Sequence, residues 1–312
     1  MLSCLILSAI VGFPFLGLAA GIKVKSRTET ASDFISQQIR MSQSLSSDSK
    51  KDELQFSNWA LGAEWNQNQS TSSDGAARLI QGRAFDAATG IEWKSFAVGL
   101  NLDSSQSSET KFSEKGGELS FSYQFYLEAS KESSKKQVEQ SLHRSSLNLG
   151  FHFGNHTIEQ GVEFQVFNRT IQRTISLKQN SAGIDLSWEP TEWLSLDLTG
   201  TKFSYDRTKE EFVAASQSRL LNLKATDLLN TIYGLNDRTG SLTATWLEDD
   251  WDIALSYSRS TLFIDSSESL SYRLLGTYYF DSGFALGLGL KQTSTESGNS
   301  GSGLLDLSYL FR

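Results

Sequence analysis

The sequence predicts an all-β protein: an antiparallel transmembrane β-barrel of about twelve strands, with fourteen the next even number. Three observations carry that expectation. Apolar residues recur at every second position through much of the 312 residues, most plainly at Leu305, Leu307, Tyr309 and Phe311, which alternate with Leu304, Asp306, Ser308 and Leu310. A closed barrel is the one sheet that leaves such a face in lipid without an unpaired edge. No stretch after residue 21 reaches the roughly 18 to 20 consecutive apolar residues of a transmembrane helix, so spanning falls to strands. Proline occurs only at Pro14 and Pro190 while aromatics reach 11%, as suits strands paired on both sides, where a proline would remove a ladder donor.

At the N-terminus, the apolar run Leu5 to Ala20 ends in Gly17, Ala19 and Ala20 and reads as a secretory signal spanning 1–20. No Lys or Arg precedes it. Cys4, the single cysteine, would leave with the signal, so no disulfide, thiolate chemistry or lipid anchor is expected. Residues 21–53 are polar without a strong period and read as a periplasmic tail, a weak strand or a plug, which leaves 54–312 for the barrel. The net charge of −8 and pI near 5.1 argue against a nucleic-acid partner. The run Lys131 to Lys136 includes Glu132 and reads as a solvated loop.

Along the barrel, Trp59 to Trp65, Leu79 to Trp93, Phe96 to Leu102 and Leu119 to Leu127 read as strands. Hairpins follow, in which alternation breaks at turn formers: Gly154-Asn155-His156, Glu189-Pro190-Thr191-Glu192, Glu248-Asp249-Asp250 and Asp281-Ser282-Gly283. The resulting count is odd, which points to one misassigned segment between residues 76 and 142. Trp93, Phe153, Trp188, Trp193, Trp246, Trp251, Phe280 and Phe284 gather beside the turns and read as an interfacial girdle at the periplasmic side. At the other end, long Ser-rich loops are expected at Asp265 to Ser269 and Ser294 to Ser302. The longest, 206–238, carries Leu220, Leu221, Leu223, Leu228 and Leu229 at helical spacing.

If the apolar phase meets lipid, its alternates meet the lumen. Glu64, Asp86, Glu92, Asp103, Arg144, Glu163, Arg169, Asp185, Asp197, Arg273, Lys291 and Asp306 fall there, and charges at membrane depth imply a wet or salt-bridged interior. His152 and His156 are expected near the periplasmic turn. Three histidines without a lasting cysteine make no metal site, no glycine-rich phosphate loop is present, and no cofactor is expected.

In these features residues 54 to 312 resemble the bacterial outer-membrane β-barrel class, with Leu305, Leu307, Tyr309 and Phe311 as its terminal assembly signal, although Arg312 follows the aromatic. The resemblance implies export through the periplasm to the bacterial cell outer membrane. Outer-membrane lipids and the barrel-assembly machinery are then the partners, together with small solutes if the lumen is open. Pairing Phe153 opposite Ile158 would also set Asn168 across from His143, beside Ser145 on the lipid side. That set resembles the catalytic residues of outer-membrane phospholipase A, although His143-Arg144-Ser145-Ser146-Leu147 matches that family's His-x-Ser-Asn-Gly pattern at two positions. Three readings follow: a passive porin-like channel for small hydrophilic solutes, a non-conducting barrel displaying surface loops for adhesion or envelope integrity, and a lipid-facing hydrolase. Catalysis is not expected of the first two.

Overall fold

The computed structural model describes residues 22–31, 34–44, 55–71, 77–107, 112–127, 145–166, 169–208, 235–263, 266–296 and 298–311. Fourteen strands follow in chain order: β1 (Ile22–Thr30), β2 (Phe34–Ser44), β3 (Gln55–Thr71), β4 (Ala77–Trp93), β5 (Phe96–Ser107), β6 (Phe112–Leu127), β7 (Ser145–Val166), β8 (Arg169–Thr191), β9 (Leu194–Tyr205), β10 (Asn236–Leu247), β11 (Trp251–Leu262), β12 (Glu268–Tyr279), β13 (Phe284–Thr295) and β14 (Gly298–Leu310). Each pairs antiparallel with its sequence neighbours. The cylinder closes where β1 meets β14, from Lys23↔Leu310 to Thr30↔Gly303, so no backbone edge faces lipid. Fourteen strands spaced about 4.8 Å apart and tilted about 40° would enclose a circle about 28 Å across, backbone to backbone.

The outward phase fixes where this cylinder meets lipid. It reads Leu147, Leu149, Phe151, Phe153 and then Asn155 in β7; Trp251, Ile253, Leu255, Tyr257 and then Arg259 in β11; Phe284, Leu286, Leu288, Leu290 and then Gln292 in β13. Four apolar positions span seven residues, roughly 20 Å of strand and, at a tilt of about 40°, about 15 Å along the membrane normal before the phase turns polar. The flanking aromatic residues widen this strip toward the roughly 25 Å apolar band of outer-membrane barrels. Several strands continue far beyond it. β7 and β8 have 22 and 23 residues, and beyond Gln160 and Gln179 they pair only with each other.

The turns at 94–95, 192–193, 248–250 and 280–283 share one rim with both ends of the cylinder. Lys94 turns β4 into β5 at φ 55°, and Gly283 turns β12 into β13 at φ 83°. A Cβ on Gly283 would lie 2.8 Å from the Leu310 carbonyl oxygen, whose own N–H donates to the Gly283 oxygen at 2.9 Å. Rings crowd this rim: Trp193 and Trp246 have centroids 4.9 Å apart, Phe280 and Phe284 5.6 Å, and Tyr309 and Phe311 4.8 Å.

The strand count is fourteen, the second of the two numbers expected: the segment 21–53, read as a tail, a weak strand or a plug, supplies β1 and β2, and the first strand starts at Ile22. Other sequence expectations are corrected. The misassigned segment is Gly154-Asn155-His156, which is no turn; it lies inside β7, paired with Ser181, Asn180 and Gln179. Phe153 therefore lies at the border away from the tight turns, where the outward phase becomes polar. Residues 294–302 form no loop, since β13 and β14 run through them to a connection at 296–297. Nor is loop length segregated by end: connections 45–54 and 128–144 join strands on the tight-turn side. Residues 1–20, Lys131 to Lys136 and the leucines of the 206–238 loop lie outside the described residues.

Candidate functional site

The alternation that builds each strand also sorts its chemistry, and the inward phase divides into three sectors. On β10 and β11 it carries short hydroxyls, Thr239, Ser241, Thr243, Ser256, Ser258 and Ser260. From β12 through β14 to β2 it carries Arg273, Lys291, Lys25, Arg27 and Arg40, with Glu29 and Asp306 between them. From β3 to β9 it carries Glu64, Asp86, Glu92, Asp103, Glu114, Glu118, Asp185, Glu189 and Asp197, together with His152 and His156. A basic wall therefore faces a longer acidic one.

Many of these charges are tied. Asp306, only 4% exposed, accepts two hydrogen bonds from Arg27 at 2.7 and 2.6 Å and faces Lys25 Nζ at 3.1 Å, clasping the first strand to the last. Glu29 accepts from Lys291 Nζ and Ser302 Oγ, both at 2.9 Å. Arg40 stands 3.7 Å from Asp86. Glu64 takes neutral donors instead, Ser36 Oγ at 2.8 Å and Gln38 Nε2 at 2.6 Å. Arg273 donates to Ser256 Oγ at 3.2 Å, while its buried Nε has no hydrogen-bond partner.

The two described histidines brace the acidic wall. His152 places Nδ1 2.7 Å from Asp185 and Nε2 2.9 Å from Thr201. The carboxylate holds the proton on Nδ1, so in the neutral ring Nε2 accepts from the threonine hydroxyl. The ring fits because Gly183 beside it has no Cβ; one there would come within 2.1 Å of Nε2. His156 Nε2 lies 2.9 Å from Asp103, and its Nδ1 is buried without a partner. Both rings sit in mid-wall, not at a turn as expected. No group of three or more His, Cys, Asp or Glu residues suited to a metal ion occurs among the described residues.

A cavity of about 510 Å³ opens between the walls. Glu64, Gln38, Ser36, Glu29 and Arg27 bound it on one side; Arg273, Lys291, Ser256, Thr243 and Ser241 bound it on the other. A smaller one of about 190 Å³ adjoins Arg40, Asp86 and Asp103.

Of the expected lumen charges, Glu64, Asp86, Glu92, Asp103, Asp185, Asp197, Arg273, Lys291 and Asp306 take the inward phase. Because β7 runs on without a turn, the backbone of Glu163 pairs with Gln172 in the part of β7 and β8 beyond the neighbouring strands. Arg169 pairs with Val166 at the far tip of β7 and β8, and Arg144 lies outside the described residues. Lys25, Arg27, Glu29, Arg40, Glu114 and Glu118 were missed, although Lys25, Arg27 and Glu29 alternate in sequence. The hydrolase arrangement has no support in the register: Phe153 pairs with Ala182, not Ile158, and Ser145 stands at the opposite end of β7 from Val166. His143 and Asn168 lie outside the described residues. Ser145 Oγ accepts from Trp188 Nε1 at 3.3 Å.

No protein-family model and no curated protein matches the chain. Solved structures do match it in shape. A KdgM porin in complex with disordered oligogalacturonate is 8% identical with a TM-score of 0.42, over 93% of this chain and 99% of that one. The CymD monoaromatic hydrocarbon channel is 10% identical with a TM-score of 0.49, over 94% and 89%. A Pseudomonas aeruginosa FadL homologue is 9% identical with a TM-score of 0.46, over 93% and 89%. At such identities the likeness is one of fold. On its own closed ladder and apolar outer band, the chain is an outer-membrane β-barrel of fourteen strands.

Proposed function

We propose that the protein is a passive channel for small hydrophilic solutes in the bacterial outer membrane. The observation that carries the reading is the inward phase of the described strands, which is largely hydroxylated or charged, with Leu177, Leu275 and Leu304 among its apolar exceptions, and which borders a cavity of about 510 Å³. The excess of acidic over basic residues on that phase favours cations and neutral solutes. In this reading residues 1–20 direct export, the aromatic rim seats the barrel among lipid headgroups, and Leu305, Leu307, Tyr309 and Phe311 engage the barrel-assembly machinery. Refolded protein in a planar bilayer tests it. Ohmic steps are expected, with a reversal potential in a KCl gradient that reports cation preference.

A silent bilayer with folded, heat-modifiable protein overturns this reading in favour of a second, a non-conducting barrel that displays its surface. The specific observation behind that alternative is the β7–β8 ribbon, which rises past both of its neighbours.

A further inference from the structure

We propose that the lumen binds a dipolar solute, a short peptide with free ends, between Arg273 and Glu64. The inference deepens the channel reading and rests on it for its physiological meaning. Most charges around the larger cavity already have an opposite partner: Asp306 faces Arg27 and Lys25, a cluster that keeps one positive charge in excess, and Glu29 faces Lys291. One guanidinium and one carboxylate remain without an opposite charge at ion-pair distance among the described residues. Arg273 has only a serine partner, through one Nη, and its guanidinium borders the cavity; Glu64 has only the neutral donors Ser36 and Gln38. Both border the same cavity.

They cannot reach each other. β3 and β12 stand five strands apart around the wall, a chord of about 25 Å in a circular barrel. Two extended side chains leave roughly 10 Å between their charged ends, close to the span of three extended residues. An ion of one sign would gain at one wall and be repelled at the other. A peptide presents its carboxylate to the fork of Arg273 and its ammonium to Glu64, and its amides meet the hydroxyls of Ser241, Thr243 and Ser258.

Equilibrium dialysis of labelled triglycine against the refolded full chain in detergent tests the site without requiring conduction. Saturable binding is expected, and capping either end, as N-acetyl-triglycine or triglycine amide, should weaken it by about tenfold or more. Arg273→Gln should erase the advantage of the free carboxylate and Glu64→Gln that of the free amine. Equal binding of the three peptides by the unmodified protein overturns the site even if neither variant folds. Conduction without a triglycine preference defeats the site alone, whereas triglycine binding beside a silent bilayer defeats the channel alone.

Discussion

Asp306 gathers two cations where the chain's first and last strands meet, and Arg27 reaches it across 279 residues of sequence. Removing one partner of a half-buried ionic cluster costs more than the cluster contributes, because the remaining charges stay desolvated. Asp306→Asn is therefore expected to lower stability by about 3 kcal/mol, read from urea unfolding in lipid vesicles. Gly183 makes a different demand. An alanine methyl there would stand where the His152 ring lies, so Gly183→Ala should displace the ring from Thr201, cost about 1 to 3 kcal/mol and shift the imidazole NMR signals. Asp306 was legible in sequence as an inward charge because apolar residues flank it. Arg27 was not, since its flanking outward residues, Ser26 and Thr28, offer no apolar contrast. Gly183 gave no sign at all, because its role depends on a ring brought alongside by a neighbouring strand.

At the scale of the element, β7 explains both what alternation reveals and where it misleads. Within the apolar band every second residue is apolar and the strand reads cleanly. Past Phe153 the outward phase becomes Asn155, Thr157 and Glu159, and polar residues on both faces imitate a turn. The strand continues because its hydrogen-bonding partners continue, and Asn155 bonds Asn180 across the pair at 2.7 Å. The true turns declared themselves where geometry demands a special residue. Gly283→Ala places a side chain at positive φ against the Leu310 oxygen, and a loss of about 1 to 2 kcal/mol is expected in the same unfolding assay. The outer ribbon, 161–166 with 169–174, pairs with no third strand among the described residues, so it should open locally. Trypsin added outside intact cells is expected to cut at Arg169 or Arg173 and leave the barrel folded by heat-modifiability. Resistance at both sites, or cutting only after the envelope is breached, would contradict the assigned orientation.

For the whole molecule, opposed walls make a lumen whose field runs across the path as well as along it. Replacing Glu118 and Asp197 together by Gln and Asn should lower the cation-over-anion permeability ratio, more at low salt than near 1 M, where the screening length falls to about 3 Å. An unchanged reversal potential would show that the acidic wall does not face the permeating ions. The architecture was legible because lipid imposes one pattern on every strand; the lumen was only partly so, since inward residues answer to partners across the bore that no local pattern encodes. The seam between β1 and β14 carries a consequence in time. Lys23 to Thr30 pair with β2 along one edge, but the other edge finds its partners only after Gly303 to Leu310 exist, so no closed intermediate forms while synthesis is under way. Until the seam closes, the free edges of β1 and β14 are bare templates for aggregation. The polypeptide must be kept unfolded from its first residues to its last, and a truncation that removes β14 discards the whole cylinder rather than one stave of it.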